Sequence, residues 1–425
     1  MPLEPDPETQ AQACLRLAPS GPLALALSGG GDSMALACLL ARASAASGRP
    51  FHAFIVDHRL REASAGEAAL TARRAEALGA QAHILVWEKP QPGQAAARLA
   101  RHRLLAQAAA AIGAQTLFVA HTGDDVIETM LMRLARPDAG WRALAAMGES
   151  AMSPAWPEGR DLRLVRPLVR SARADLRRLL KAEGTDWIED PSNTDPKFER
   201  VRIRAAAPAP QTQVGTTLLA LNTQALALDA RVRRAASGLL ERAADIQDWG
   251  AMRLEPGAFG RAPRPVAMRA MEAAIAAVSG EAALPRGPVT QALLEALIAG
   301  KPASGGGAVL TGAAILGRDP GASAGRADGG GGAGKLILPP GKAGIFDGRF
   351  LVCAGREPLE VSAAGGAKTH APSVPPVLRG SLVRGEAGGE VFIAGIGPVP
   401  GSGAAGALIA ERLAHVLFEA GSAPQ

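Results

Sequence analysis

Aromatic side chains make up only 3% of this 425-residue chain, so flat platforms for stacking a ligand ring are scarce. Cysteine is scarcer still. Cys14, Cys38 and Cys353 stand far apart and form no CxxC pair, which argues against a zinc site or a disulfide framework and for buried or indifferent thiols. No apolar run reaches the ~18 residues of a membrane span. The opening MPLEPDPETQ is acidic and proline-bearing, without the basic and apolar regions of a signal peptide. A cytoplasmic location and no membrane partner are therefore expected. The chain shows no regular internal repeat. Its length implies two or three domains. A net charge of +6 and a pI near 9.7 suit a nucleic-acid partner or an ordinary basic enzyme alike.

Against these absences stands one glycine-rich stretch, ALALSGGGDSMALACLL at residues 24–40. Leu23 to Leu27 is a continuous apolar run and Met34 onward repeats apolar residues at helical spacing, so the glycines fall at a strand-to-helix turn. A helix N-terminus offers unsatisfied N–H groups and the positive end of the dipole, and glycines let the backbone close around a phosphate. Ser28 and Ser33 add hydroxyls. Asp32 would repel a bare phosphate and suits either a bound magnesium ion or the first turn of the helix. A Walker A ending and the third glycine of a dinucleotide fingerprint are both missing.

Further apolar runs follow at FHAFIVD (51–57), AHILVW (82–87) and TLFVAH (116–121), with helical stretches between them. The alternation predicts an α/β fold, a parallel sheet with helices on both faces. Ligands in such sheets bind beyond the carboxyl ends of the strands, where Ser28, Asp57 and His121 fall. The core domain is expected over 1–205, continuing through LRLVRPLV (162–169), a helix from Ser171 and the turn-rich EDPSNTDPKFERVRIR. AAAPAPQTQ then breaks the pattern. Residues 206–302 read as a small helical domain and 303–425 as a Gly-rich, β-rich region, with strand-like AVLTGAAILG, KLILPP and GIFDGRFLV. The GxxxxGK spacing from Gly329 to Lys335 lacks a following hydroxyl residue and a preceding strand, and reads as a linker.

Three further stretches carry charge in patterns. In AHTGDDVIET, Asp124, Asp125 and Glu128 share a helical turn and face; a cation among them, magnesium or an amine, or a plain helix-starting acidic turn would each explain it. In AAARLARHRLL, Arg98 and Arg101 lie at i, i+3, suited to phosphates or simply to an exposed basic face. Arg166, Arg170, Arg173, Arg200, Arg202 and Arg204 give the end of the core domain a basic character that a polyanion could use.

Taken together, Ser28 to Ser33 as SGGxDS, VDHRLR (Val56 to Arg61), Arg98 with Arg101, His121 with Asp124, Asp125, Glu128 and Thr129, and Trp187 to Asn193 resemble, in order, the motifs of the tRNA(Ile)-lysidine synthase family of PP-loop ATPases. The resemblance covers about residues 20–205. It implies an adenine nucleotide alpha hydrolase-like fold with ATP on Ser28, Gly29, Gly30, Gly31, Asp32 and Ser33, and Mg2+ at Asp32 or the acidic turn. It further implies a ligase that adenylates the wobble cytidine of the CAU anticodon of tRNA(Ile) and joins free L-lysine to C2, releasing AMP and pyrophosphate. Asp57, His121, Asp125 and Glu128 become candidates for catalysis or lysine binding. Arg98, Arg101, Arg173 and Arg202 become candidates for tRNA or phosphate contacts, and Trp141, Trp156 and Trp187 for stacking a base that leaves the anticodon loop. A homodimer is compatible with it. Three departures stand out: His102 replaces a frequent aromatic, Thr122 and Val126 replace polar residues beside the acids, and Val201 replaces an asparagine. Val126 is expected to remove a polar contact.

A tRNA thiolase of the same superfamily would share the adenylation but need reactive cysteines, which the chain does not pair. An amide-forming ligase would often carry a glutaminase segment, and none is present. A non-catalytic tRNA-binding relative would be expected to lose the loop or the acids, and both are intact.

Overall fold

Alternation within the first apolar runs builds a sheet buried on both faces. The computed structural model describes residues 6–59, 63–88, 90, 93–137, 139–189, 197, 199–323, 334–364, 371, 373–396, 399 and 403–418. Its chain order begins α1 (Pro7–Leu17), β1 (Leu23–Ala26), α2 (Gly31–Ser47), β2 (Phe51–Asp57), α3 (Ser64–Ala77), β3 (Gln81–Val86), α4 (Gln94–Ala111), β4 (Thr116–Phe118) and α5 (Gly123–Leu134). It continues β5 (Ser150–Met152), β6 (Arg163–Val165), α6 (Arg173–Ala182), α7 (Glu199–Ala206) and α8 (Gln213–Ala243). Leu23, Leu25, Phe51, Ala53, Ile55 and Phe118 point to the face covered by α1, α2, α3 and α6. Ala24, Phe54 and Leu117, one residue out of step, point to the face covered by α4 through Leu105, Ala106 and Ala109. A strand shows successive side chains to opposite faces, so this is the pattern of a parallel sheet with helices on both sides.

The strand order is β3-β2-β1-β4-β6-β5, parallel except for β5 against β6. From β1 the chain winds outward through β2 and β3, then returns to place β4 on the other side of β1. The reversal lies between β1 and β4, and a crevice opens beyond their carboxyl ends at such a switch point. The edge strand β5 has no sequence signal: SAM is too short and too little apolar to register. β4 is shorter than TLFVAH suggests, ending at Phe118, so His121 lies in the connection to α5.

Two compact units divide the chain at Ala230/Arg231, against expected boundaries at 205/206 and 302/303. The second unit shows why the latter misleads. After α8 come β7 (Ala244–Gln247), β8 (Ala251–Leu254), α9 (Pro256–Arg261), α10 (Arg264–Ser279), α11 (Gly287–Ile298), β9 (Ala303–Gly305), β10 (Ala308–Leu310) and β11 (Ile315–Arg318). The strands form one antiparallel sheet ordered β7-β8-β11-β10-β9. Strands from both sides of residue 302 therefore share hydrogen bonds and one core, with α10 central to it through Met271, Ala274 and Ile275. AMRL is a strand whose short alternation is hidden among helix formers. After α12 (Pro320–Ser323) and β12 (Lys335–Leu338), the strand-like run GIFDGRFLV folds as two antiparallel strands, β13 (Ala343–Phe346) and β14 (Phe350–Cys353). Residues 324–333, most of the glycine-rich linker reading, lie outside the described residues.

Candidate active site

The loop after β1 is shaped by what presses on it. Gly29 has φ +82°, a left-handed conformation that favours glycine, and a Cβ there would collide with the Thr71 hydroxyl of α3. Its carbonyl accepts from the Ile188 N–H at 2.9 Å, while Gly31 faces the Trp187 ring. Ser33 Oγ accepts from the Ser28 N–H at 3.3 Å, lies 3.1 Å from Ser28 Oγ and donates to the Gly30 carbonyl at 2.9 Å. Gly30 is the N-cap of α2 and supplies no capping side chain, so the first N–H groups of a 17-residue helix remain available to an anion.

The acidic turn is filled from within the chain. Arg173 donates through Nε to Asp32 Oδ2 at 3.0 Å, through Nη2 to Asp125 Oδ1 at 3.1 Å and through Nη1 to Glu128 Oε1 at 3.3 Å. Its backbone N–H donates to Asp124 Oδ2 at 2.8 Å. Arg200 reaches Asp125 at 2.6 Å and Glu128 at 3.0 Å, and Arg204 reaches Glu128 at 2.8 Å. Glu128, 1% exposed, thus carries three guanidinium neighbours. Arg173 is the hub of this lattice rather than a phosphate contact facing outward. Arg200 and Arg204, one turn apart on α7, face the acids instead of a polyanion. Arg202 lies on the other face of α7, exposed, with Nη1 donating to the Lys197 carbonyl at 3.0 Å.

Asp125 has a second duty. Its Oδ2 accepts from the Thr122 N–H at 2.9 Å, and its own N–H donates to Thr122 Oγ1, closing a capping box at the start of α5. Thr122 is therefore the N-cap of the helix that presents the acids. Burial pushes the Asp125 pKa up, but Arg173, the Thr122 N–H and Arg200 outweigh it and hold the group below its ordinary value. Asp32 goes the other way: burial raises its pKa despite Arg173. Among the described residues, four carboxylates thus face three guanidinium groups.

Asp57 is turned inward. Its Oδ1 accepts from Ser64 Oγ at 2.6 Å and from the Arg59 N–H at 2.9 Å. The Ser64 bond, foremost, holds its pKa below the ordinary value. These are the contacts of a carboxylate that shapes the turn after β2. Leu60 and Arg61 of VDHRLR, and residues 190–193 of the EDPSN segment, lie outside the described residues. Val126 is fully buried with Met130, Ala146 and Val169, so it belongs to an apolar contact and does not replace a group facing substrate. Trp156 is likewise core, 1% exposed, and offers no stacking platform; Trp141 and Trp187 are half-buried.

A second cluster of opposite character gathers around His121. Arg98, Arg101 and His102 of α4, His58 after β2, His121 after β4 and Arg166 after β6 are mutually repulsive neighbours. Burial first, then the neighbouring cations, push the His102 pKa down to about 3, and burial with Arg166 pushes that of His121 down to about 4. Burial also lowers Arg166 to about 10. His58 Nδ1, His102 Nε2, His121 Nδ1 and Arg166 Nε are buried without a hydrogen-bond partner among the described residues. Desolvated, unpaired polar atoms of this kind suit a polar ligand, and the Arg166 Nε–H among them suits an anion. Arg166, read from sequence as part of a basic surface, is 9% exposed.

For a magnesium ion, the described residues hold no group of three or more His, Cys, Asp or Glu arranged as ligands. The α5 acids are committed to arginines. Asp32 fits better: it stands on the glycine loop, only its Oδ2 is engaged, and Mg2+ bound to phosphates needs as few as one or two protein carboxylates. Sulfur chemistry finds no support: Cys14 and Cys38 are buried, and burial raises both thiols, Cys14 to about 12.

Comparison with known proteins agrees with this geometry. The family described as ATP_bind_3: PP-loop domain matches residues 3–208. A tRNA(Ile)-lysidine synthase of Caulobacter vibrioides is 35% identical over 411 residues, covering 90% of this chain and 91% of that protein. One of Rhizobium meliloti is 35% identical over 344 residues, covering 77% and 72%. Among solved structures, the U34-tRNA thiolase NcsA from Methanococcus maripaludis with its [4Fe-4S] cluster aligns over 52% of this chain and 78% of that one, at 15% identity and a TM-score of 0.42. That likeness is too slight to bear on the chemistry.

Proposed function

This chain belongs to the tRNA(Ile)-lysidine synthase family, and on that premise we propose that its first unit joins free lysine to C2 of the wobble cytidine in the CAU anticodon of tRNA(Ile). ATP is consumed to AMP and pyrophosphate. The observation that carries the reading is the pairing of opposite clusters around His121 beside a phosphate loop. One cluster has more carboxylates than guanidinium groups among the described residues, and the other sets the buried Arg166 and the largely desolvated Arg101 beside the exposed Arg98. A zwitterion with a distant amine suits such a pair: the ε-ammonium belongs with Asp125 and Glu128 in place of the half-exposed Arg200, and the α-carboxylate with Arg98, Arg101 and Arg166.

The loop Ser28–Ser33 and the uncapped start of α2 hold the β- and γ-phosphates through backbone N–H groups and hydroxyls. Mg2+, held by Asp32 and phosphate oxygens, would supply charge neutralisation at the phosphates. The cytosine O2 attacks the α-phosphorus and pyrophosphate leaves. The lysine amine, having lost a proton, attacks C2, and the C2–O bond breaks with AMP carrying the oxygen away. Glu128 and Asp125 hold the ammonium, and the proton it gives up before the attack passes to one of these carboxylates. His121, uncharged near neutral pH because its pKa is held down to about 4, can accept a hydrogen bond without adding positive charge. Asp57 supports the site by fixing the turn after β2. Arg202, exposed on α7, is kept as a contact for RNA phosphates.

The reaction is assigned to the cytoplasm, and no helix among the described residues is long and apolar enough to cross a membrane. A homodimer stays a proposal for sedimentation to test. The deciding experiment is incorporation of labelled lysine into an unmodified tRNA(Ile) transcript with a CAU anticodon. Incorporation should require ATP, spare methionine tRNA and vanish in Asp32→Ala. Formation of AMP and pyrophosphate with lysine left free would sink the assignment of the nucleophile.

A further inference from the structure

Three arginines meet the acids of α5, and they are not held alike. Arg200 is 48% exposed, against 32% for Arg204 and 16% for Arg173. The sequence explains the difference between the first two: Arg200 is the second residue of α7, and Arg204 lies one turn further in. Ion pairs that water can reach are weakly held. Arg200 is thus the partner of Asp125 and Glu128 that leaves most easily.

The oxygens it engages are those the other groups use least. Asp125 Oδ2 is taken by the Thr122 N–H and hydroxyl, and Glu128 Oε1 by Arg173 and Arg204. Arg200 takes Asp125 Oδ1 through Nη2 at 2.6 Å and Glu128 Oε2 through Nε at 3.0 Å. Among the described residues, the first of these oxygens has one other partner, Arg173 at 3.1 Å, and the second only Arg204 Nη2 at 3.4 Å. With Arg200 turned away, one oxygen of each acid faces a newcomer. An ammonium carries three N–H donors on one atom and can serve both. One cation replaces another, so the acids are paired before and after the exchange, and no buried carboxylate is left alone. Arg200 also repels Arg101 and His121 of the basic cluster. A substrate laid between the acids and that cluster relieves this repulsion when it takes the guanidinium's place.

We propose that Arg200 is a placeholder in the lysine-ammonium subsite: it keeps Asp125 and Glu128 paired while the site is free, and the substrate displaces it. Helix α7 stays where it is, because Arg204 keeps its bonds to Glu128 and a rotation of the Arg200 side chain is enough. Lysine binding is then a competition, and the apparent affinity is lower than the subsite alone would give. The proposal rests on the reading that free lysine is the nucleophile.

The test is the KM for lysine in the incorporation assay, with the full chain, ATP and unmodified tRNA(Ile) transcript. Arg200→Gln and Arg200→Met should each lower that KM by about three- to tenfold. Arg178→Gln, which removes an exposed arginine of α6 paired with Asp175, should leave it where it is. Methylguanidinium should refill the vacated place, inhibiting both Arg200 variants competitively against lysine and wild type several-fold more weakly. Both variants should unfold thermally as wild type does, since Arg173 and Arg204 stay with the acids; failure of both to fold would make Arg200 a permanent part of the structure and overturn the proposal. A KM unchanged or raised in folded variants, with wild type active, would overturn it too, and Arg200 would then be a group that holds substrate or only fastens α7. Absent or non-competitive inhibition by methylguanidinium would do the same. If wild-type protein incorporates no lysine, the functional reading itself has failed.

Discussion

Arg173 Nε donates to Asp32 Oδ2 at 3.0 Å, which ties the first residue of α6 to the acid at the start of α2. The same guanidinium holds Asp125 and Glu128, so the phosphate loop and the acidic turn are fixed by one side chain. Breaking a buried ion pair by removing one partner typically destabilises by about 3–5 kcal/mol. Arg173 keeps 16% exposure, so Arg173→Met should fall at or below the lower end of that range in urea unfolding and abolish lysine incorporation. Arg173→Lys should recover part of the stability and little activity, because an ammonium cannot span the same set of carboxylates.

Gly29 and Gly31 separate backbone need from mere proximity. Gly29→Ala meets both the positive φ and Thr71, and should destabilise by about 1–3 kcal/mol while removing ATP-dependent pyrophosphate release. A Cβ on Gly31 would stand 3.5 Å from the Trp187 ring, an ordinary contact, so Gly31→Ala should fold normally. Equal losses of stability in the two variants would contradict the account of the loop.

Asp57 distinguishes a shaping carboxylate from a catalytic one. Asn can offer the same oxygen to Ser64 and Arg59, so Asp57→Asn should retain most of the lysine incorporation. Asp57→Ala leaves those donors unsatisfied and should lose about 1–3 kcal/mol of stability. A dead but stable Asp57→Asn protein would show that the charge itself takes part in the chemistry.

The pH dependence follows from the two buried histidines. Both are held below the ordinary value of 6.5, His121 at about 4 and His102 at about 3, so the unfolded chain binds protons that the folded chain refuses. Their neutral forms leave stability intact above about pH 6.5, and stability falls as the pH drops from there toward 4. Each histidine contributes a slope of about 1.4 kcal/mol per pH unit in that window. His102→Phe should flatten the stability profile between pH 6.5 and 4, and an unchanged profile would refute the assignment.

Val126→Gln tests whether the position faces substrate. The residue is 0% exposed among Met130, Ala146 and Val169, so a glutamine there should destabilise by about 2–4 kcal/mol. No gain in lysine or tRNA affinity is expected; a tighter KM for either would place the side chain in the site after all.

What could be read from sequence was whatever depends on neighbours along the chain. The strand at Phe51–Asp57, the glycine turn at Ser28–Ser33 and the shared face of Asp124, Asp125 and Glu128 are local patterns, and the structure bears them out as elements. The partners of those acids were hidden because Glu128 meets Arg200 and Arg204 across more than seventy residues. Nothing in the spacing of α7 says whether its arginines meet RNA or carboxylates. Val126 and Trp156 were misread for the same reason, since a residue type does not reveal which way a helix or loop turns it. The sheet that spans residue 302 was missed because AMRL and AVL are too short to stand out against alanine-rich helices.

Helix α7 has no buried residue, yet it packs on α5 and delivers two of the three guanidinium groups that surround Glu128. Its attachment is electrostatic where that of its neighbours is hydrophobic. Such a fastening weakens with ionic strength and leaves the apolar core untouched, so this helix should loosen in salt, and open to proteases and hydrogen exchange, well before the sheet beneath it melts.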